Sequence, residues 1–103
     1  MSFSDKVYAL CKQIPKGRIS TYKELAKALH TKAYRAVGQA LRKNPYAPVV
    51  PCHRVIASDG TLGGFGGETR GKNIQHKSRL LKKEGVKIKG SRILDFEKLL
   101  HRL

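Results

Sequence analysis

The stretch that decides the fold is Thr21–Lys43, which reads TYKELAKALHTKAYRAVGQALRK. Thr21 and Glu24 have the spacing of a capping box at a helix N-terminus, and apolar residues follow at helical intervals. The polar residues 30–32 interrupt this pattern, and the same periodicity then predicts a second helix from about Ala33 to Lys43. Two short helices joined this tightly, the second basic and rich in small residues, are typical of a helix-turn-helix.

The second helix of this pair is predicted to be amphipathic, with Val37, Ala40 and Leu41 facing inward. Four polar or basic side chains fall on its outward face: Arg35, Gln39, Arg42 and Lys43. The whole chain shares this basic character, because 22 of its 103 residues are Lys or Arg and 7 are Asp or Glu, a net charge of +15. Such a charge favours a polyanion, above all a nucleic acid, as partner; a solvated basic surface and an anionic membrane are the alternatives.

Upstream of the helix pair, Val7, Leu10, Cys11 and Ile14 have helical spacing. They predict an amphipathic helix that begins near Ser2 or Ser4 and ends before Pro15 and Gly17. Cys11 lies on the apolar stripe of that helix, so we expect a buried structural thiol rather than a reactive one.

Downstream, Asn44-Pro45 ends the second helix, and we expect an extended chain from Tyr46 to Pro51. Residues 55–57 are predicted to form a strand, which a turn at residues 58–61 returns as a hairpin, giving a wing. The glycine-rich residues 62–67 suit close backbone approach to a flat group, with a plain flexible loop as the alternative. A nucleotide-phosphate loop fits less well because no GK[ST] follows.

The remainder predicts a helix from about Lys72 to Glu84 that stops at Gly85, a small strand at residues 86–88 and a last helix over Asp95–Leu103. The expected fold is one α+β domain, mostly α, covering residues 1–103. It is a winged-helix-like helix-turn-helix domain with a small β element, and we expect a monomer.

Residues 1–10, MSFSDKVYAL, do not resemble a secretory signal, and no stretch is apolar enough for long enough to span a bilayer. With only two cysteines, Cys11 and Cys52, we expect a reducing cytoplasmic compartment, or the nucleus in a eukaryote, and no membrane partner or disulfide. There is no CxxC motif and no paired spacing among the four histidines. We therefore expect no metal site and no cofactor.

The chemistry concentrates in Pro51-Cys-His-Arg-Val55. A thiol becomes a strong nucleophile only as a thiolate, which cationic or hydrogen-bonding neighbours stabilise. Cys52 has His53 and Arg54 beside it, yet adjacent residues of an extended strand point to opposite sides. Either the backbone turns here, or a water links the thiol to the imidazole.

Pro51-Cys-His-Arg-Val55 resembles the active-site signature of the O6-alkylguanine-DNA alkyltransferases, also called methylated-DNA-protein-cysteine methyltransferases. Five more blocks resemble that family in its order and near its spacing: residues 21–26 (TYKELA), 35–41 (RAVGQAL), 44–45 (NP), 64–67 (GFGG) and 80–85 (LLKKEG). The resemblance covers roughly residues 3–88 and corresponds to the family's C-terminal domain.

The resemblance implies that Cys52 accepts an alkyl group from O6-alkylguanine in double-stranded DNA, irreversibly and once per molecule. His53 would be the base acting through water, Glu84 would orient His53, and Asn44 would be a hinge that ties the recognition helix to the active-site segment. Without the family, Glu84 would be an ordinary ion-pair partner and Asn44 a helix cap.

The same resemblance implies base flipping from the minor groove by the helix-turn-helix. Arg35 would fill the gap left by the extruded base and Tyr22 would turn the target phosphate, with Gln39 and Arg42 as further DNA contacts. Arg35 as a phosphate contact and Tyr22 as a half-buried core aromatic are the alternatives. The pocket would be lined by six residues: Tyr22, Leu41, Arg54, Val55, Phe65 and Gly66.

Two departures from the family bear on function. Phe65 stands where tyrosine is common, which removes one donor near the leaving oxygen. We also expect the family's N-terminal domain to be missing, which gives a length shared with the alkyltransferase-like proteins; these bind alkylguanine without repairing it but lack the cysteine. The prediction is therefore a suicide DNA repair methyltransferase, with a lesion sensor as the alternative and a helix-turn-helix transcriptional regulator as a third.

Overall fold

The computed structural model describes residues 2–63 and 72–103, beginning with helix α1, Phe3–Cys11. Ser2 caps this helix as predicted, because its Oγ accepts from the Asp5 N–H at 3.1 Å while Asp5 Oδ2 accepts from the Ser2 N–H at 3.2 Å. Val7 and Cys11 point into the interior. The predicted first helix and its buried thiol are confirmed.

Helices α2, Tyr22–Ala28, and α3, Tyr34–Arg42, form the predicted helix pair. Thr21 caps α2 by accepting from the Glu24 N–H at 3.1 Å. The chain reverses between the helices at His30, whose φ of +56° lies in the left-handed region. Three residues of α3 are buried, Val37, Ala40 and Leu41, and its polar face is exposed, both as predicted.

The segment between α3 and the cysteine motif is compact, so the expected extended run from Tyr46 to Pro51 is wrong. The Val50 N–H donates to the Tyr46 carbonyl at 3.0 Å, which closes a turn. Asn44 stabilises this turn from both sides: its Oδ1 accepts from the Tyr46 N–H at 2.9 Å, and its Nδ2 donates to the Val50 carbonyl at 2.8 Å. A side chain that pairs locally with the backbone competes with an extended conformation.

The described residues also form two short two-stranded sheets. Strand β1, Ser20–Thr21, pairs in parallel with β2, Val55–Ile56, and β3, Ile88–Lys89, pairs antiparallel with β4, Arg92–Ile93. The predicted turn after β2 forms, with the Ala57 N–H donating to the Thr61 carbonyl at 3.1 Å. The predicted hairpin partner is wrong, because β2 pairs with β1 while Thr61 bridges to Arg92.

Helix α4, Lys72–Lys83, is confirmed together with its stop at Gly85, whose φ is +96°. The last helix, α5, is only Phe96–Leu99, so the predicted helix over Asp95–Leu103 is too long. Residues 99–101 instead pair with Ile19, the residue directly before β1. The Ile19 N–H donates to the Leu99 carbonyl at 3.1 Å, and the His101 N–H donates to the Ile19 carbonyl at 2.7 Å.

Within residues 2–63 and 72–103, the interior contains two apolar clusters that meet at β2. One cluster lies among the first three helices and includes Val55, and the other lies between α4 and the C-terminal segment and includes Ile56. Successive residues of a strand face opposite sides, so β2 contributes one side chain to each cluster. Whatever directly precedes β2 is therefore held at the junction of the two clusters.

Candidate functional site

Cys52 begins the segment that precedes β2, a single 3₁₀ turn over Cys52–Arg54. The turn is closed by the Arg54 N–H, which donates to the Pro51 carbonyl at 2.9 Å. Of the two arrangements that the sequence allows, the backbone therefore adopts the one that turns between Cys52 and His53. The thiol of Cys52 is partly exposed, in contrast to the buried thiol of Cys11.

His53 faces a carboxylate that comes from the other end of the sequence. Its Nε2 lies 3.2 Å from Oε2 of Glu84 at the C-terminal end of α4, and the His53 side chain is only 4% exposed. The angle of this contact does not meet hydrogen-bond geometry, and Nε2 has no other hydrogen-bond partner within residues 2–63 and 72–103. The contact is therefore electrostatic, and it orients the Nε2 edge of the ring toward Glu84.

Arg54 holds the same carboxylate in a two-point ion pair. Its Nε donates to Glu84 Oε1 at 2.9 Å and its Nη2 to Oε2 at 2.6 Å, while Nη1 donates to the Ile14 carbonyl at 2.9 Å. Such bidentate pairs are the strongest and most directional kind. All three guanidinium nitrogens are thereby engaged, and a role for Arg54 in lining a substrate pocket stays a prediction.

The electrostatics of these groups keep His53 neutral and Glu84 charged near pH 7. Burial lowers the pKa of His53, and this outweighs the contact with Glu84, which acts in the opposite direction. Burial alone would raise the pKa of Glu84, but the contacts with Arg54 and His53 bring it below its usual value. A neutral imidazole beside a fixed carboxylate is in the form that accepts a proton.

Cys11 and Tyr22 lie close to Cys52 and are both held in their neutral forms. Burial raises the pKa of the Cys11 thiol to about 12, and the nearby Cys52 contributes in the same direction. The same two causes raise the pKa of Tyr22 to about 12. Cys11 is thus unsuited to nucleophilic chemistry, as expected from its place on the apolar stripe of α1.

The residues predicted to contact DNA all lie on the helix pair. Arg35, Gln39 and Arg42 are exposed on α3, and Tyr22 is half-buried as the first residue of α2. Of the predicted pocket residues, Leu41 and Val55 are buried, with 6% and 0% exposure. Phe65 and Gly66 lie outside the described residues.

Gly63 lies in the glycine-rich segment, residues 62–67, that the sequence predicts to suit close backbone approach. Its φ is +70°, and a Cβ built there would lie 3.3 Å from the Ala57 nitrogen and 3.4 Å from Cε2 of Tyr22. The backbone at Gly63 therefore packs directly against the Tyr22 ring, where a larger residue would be both crowded and strained.

The comparison with known protein families shows to which family the chain belongs. Residues 2–86 match the family described as the DNA-binding domain of 6-O-methylguanine DNA methyltransferase. The chain belongs to this family. The match contains the whole helix-turn-helix, the Cys52–Arg54 turn and Glu84, which are the elements that carried the resemblance in the sequence.

Methyltransferase relatives and solved structures agree with this membership. The methylated-DNA–protein-cysteine methyltransferase of Thermococcus kodakarensis is 49% identical over 86 residues, which are 82% of this chain and 45% of that protein. Mycobacterium tuberculosis OGT, solved in complex with DNA, has a TM-score of 0.72 at 40% identity over 82% of this chain and 50% of its own. The chain thus spans about half the length of these relatives.

A second solved structure matches over almost its full length. Atl1 of S. pombe, solved in complex with damaged DNA containing O6-carboxymethylguanine, has a TM-score of 0.81 at 32% identity. The alignment covers 98% of this chain and 95% of Atl1. A solved protein of nearly the same extent as the present chain therefore shares its fold.

One buried residue near the Cys52–Arg54 turn could not be found from the sequence. Lys77 reads as an exposed polar position of α4, yet it is fully buried. Its distance in sequence from Cys52 gives no local signal of this burial. Within the described part of the chain, no three His, Cys, Asp or Glu residues are grouped so that they could hold a metal, and no helix is long and apolar enough to cross a membrane.

Proposed function

We propose that this chain repairs O6-alkylguanine in double-stranded DNA by transferring the alkyl group to Cys52. The observation that carries this proposal is the placement of a partly exposed thiol on a tight turn, next to a buried imidazole that faces a carboxylate. Membership of a family named for methyl transfer from 6-O-methylguanine supports it.

The chemistry is a displacement at carbon. With the Nε2 edge of His53 turned to Glu84, the Nδ1 edge is the base that takes the Cys52 proton through a water. The thiolate attacks the alkyl carbon, so that the S–C bond forms as the C–O6 bond breaks and the electron pair stays with guanine. Guanine then takes up a proton, and Cys52 is left as a thioether that does not revert.

The reacting carbon is inaccessible inside a duplex, so the nucleotide has to leave the stack. We assign this step to the exposed Arg35 of α3, which fills the gap, and to Tyr22, which borders the site beside Gly63. Gln39 and Arg42 add contacts to the DNA backbone. Approach from the minor groove is part of this proposal.

Asn44 is proposed to couple the DNA-reading helix to the chemistry. It follows the end of α3, and its amide holds the Val50 carbonyl at 2.8 Å, two residues before Cys52. A shift of α3 on the DNA would therefore reach the cysteine turn through this side chain.

The chain is further proposed to work as a single domain and as a monomer, without a metal or cofactor, in the cytoplasm, or in the nucleus if its source is a eukaryote. Its net charge of +15 supports duplex DNA as the partner. The DNA complex of M. tuberculosis OGT supports the same partner.

The decisive experiment incubates the protein with duplex DNA carrying O6-methylguanine and then weighs the peptide that contains Cys52. We expect a methyl group in place of the thiol hydrogen, and none on the Cys11 peptide or in a Cys52→Ala variant. An unmodified Cys52 peptide after prolonged incubation with bound lesion DNA would refute transfer.

A second candidate function is recognition of alkylguanine without repair. The near full-length match to Atl1, which was solved with O6-carboxymethylguanine DNA, favours it. The presence of Cys52 on a partly exposed turn favours transfer. Tight and selective binding of lesion DNA with no change in the mass of the Cys52 peptide would establish the sensor, and selective binding to one undamaged sequence would point to a regulator.

A further inference from the structure

Lys77 is the largest fully buried side chain among the described residues, at 0% exposure. It lies in the middle of α4, a helix whose last turn carries Lys82 and Lys83 in solvent. Lysine is almost never fully buried unless its charge is compensated, because desolvating an ammonium group is costly. Burial lowers the pKa of Lys77 to about 7, which shows how strongly the site opposes the charge.

The ammonium group connects two separate segments of the chain. Its Nζ donates to the Val55 carbonyl at 2.7 Å and to the Leu62 carbonyl at 2.6 Å. Val55 begins β2, directly after the turn that carries Cys52, and Leu62 directly precedes Gly63, whose backbone packs on the Tyr22 ring. The same Nζ lies 6.0 Å from the centroid of that ring.

An apolar side chain of similar volume would fill this space without the cost of desolvating an ammonium group. What an apolar residue cannot do is hold two carbonyls at a set distance from one point. The lysine therefore has a geometric task, and the two carbonyls it joins border Cys52 on one side and Tyr22 on the other.

We propose that Lys77 is a positioning residue of the alkyl-acceptor site, which clamps β2 to the segment entering Gly63 and so sets the spacing between Cys52 and Tyr22. This inference rests on the proposed function for its consequence, namely alkyl transfer from a guanine held next to these two side chains. The clamp itself consists of the hydrogen bonds that Nζ donates to the Val55 and Leu62 carbonyls.

The test compares Lys77→Met with Lys82→Met, which removes the same charge from an exposed position of the same helix. Both variants are assayed for affinity to undamaged duplex, for affinity to O6-methylguanine duplex, and for the single-turnover transfer rate at saturating DNA. We expect Lys77→Met to bind undamaged DNA like the control but to transfer methyl about 100-fold more slowly, because a displacement near 1 Å at a reacting centre has an effect of this size. A purely structural lysine would not separate rate from affinity in this way.

A folded Lys77→Met variant whose transfer rate stays within about twofold of the Lys82→Met rate would overturn the proposal. A twofold change is well below the tenfold change that corresponds to about 1.4 kcal/mol of activation free energy. If Lys77→Met does not fold, the wild-type protein decides the matter by nitrogen-15 NMR of its lysine side chains. We expect one Nζ group that exchanges slowly with water and shows through-hydrogen-bond couplings to the carbonyl carbons of Val55 and Leu62. Absence of both signals refutes the clamp.

Failure of the proposed function is distinguishable from failure of the clamp. If wild-type protein transfers no methyl group, the repair proposal fails while the NMR signals and the lesion affinity still report on Lys77. In that case Lys77→Met is expected to lose preference for lesion over undamaged duplex, and an unchanged preference overturns the clamp.

Discussion

Arg54 and Glu84 form a two-point ion pair, with Nε–Oε1 and Nη2–Oε2 distances of 2.9 and 2.6 Å, and the same Glu84 carboxylate faces His53 at 3.2 Å. The pair joins the cysteine turn to the end of α4, across 30 residues of sequence. The imidazole next to Cys52 is therefore oriented by a carboxylate that Arg54 itself holds in place.

Replacing Arg54 by Met should lower the free energy of unfolding by about 2–4 kcal/mol, because it leaves a largely buried carboxylate without its main partner. The side chains of Arg54 and Glu84 are only 16% and 13% exposed, so solvent compensates little. Urea denaturation measures the change. The matched control is Arg102→Met, because Arg102 lies 3.6 Å from Glu24 with a side chain that is 69% exposed. The loss of unfolding free energy in Arg102→Met should stay below about 1 kcal/mol. Equal losses in the two variants would show that the Arg54–Glu84 pair contributes no more to stability than the exposed pair.

The two thiols should differ sharply toward an alkylating reagent such as iodoacetamide. We expect native protein to be labelled at Cys52 and spared at Cys11, which is fully buried and whose pKa is raised to about 12. Unfolding in urea should make both thiols reactive. Mass spectrometry of the two peptides gives the answer, and native labelling of Cys11 at the rate of Cys52 would contradict the burial of the first helix.

The rate of transfer should depend on the protonation of His53. Burial lowers its pKa, so the base form persists below the usual imidazole range and the rate should stay level as the pH is lowered through about 6.5 before it falls. A single-turnover pH profile over the range in which an imidazole titrates, on wild type and Glu84→Gln, tests this. A wild-type midpoint above about 6.5 would mean that the Glu84 contact outweighs burial, the reverse of the balance that lowers the pKa of His53.

Lys77 should make the protein more stable as the pH rises above neutrality. Its pKa is about 7 in the folded chain and near 10.5 when unfolded, so between these values the unfolded chain binds more protons. Unfolding free energy therefore increases with pH, by at most about 1.4 kcal/mol per unit. At the alkaline end of this range the raised pKa values of Cys11 and Tyr22 act in the opposite sense. Urea midpoints of wild type and Lys77→Met measure the effect, and an identical slope in both would exclude Lys77 as its source.

Arg35→Ala should slow methyl transfer at saturating DNA, because the exposed Arg35 of α3 is the residue proposed to fill the gap left by the flipped base. Lys83→Ala, which removes an exposed charge from α4, should alter only the salt dependence of binding. The two variants are compared by single-turnover rate and by binding at several salt concentrations. A normal transfer rate in Arg35→Ala would remove Arg35 from the flipping step.

Much of the fold could be predicted from sequence because it depends on local sequence patterns. The Ser2 and Thr21 caps, the periodicity of α3 and the Gly85 stop each depend on residues within one or two turns, and each is confirmed. The hairpin after β2 and the long final helix were wrong for a common reason. Strand β1 pairs with β2, and Ile19 directly before β1 pairs with the C-terminal residues. Such pairing depends on partners far away in sequence.

The candidate site divides in the same way. By itself, the sequence determined that a thiol, an imidazole and a guanidinium occur together at residues 52–54, on a basic chain with a helix-turn-helix. Only the tertiary structure decided that Arg54 turns to Glu84 and that Lys77 enters the interior to hold two carbonyls. The physical reason is that hydrogen bonds and ion pairs across 30 or 22 residues form only once packing has excluded water from their partners, and no local pattern records that exclusion.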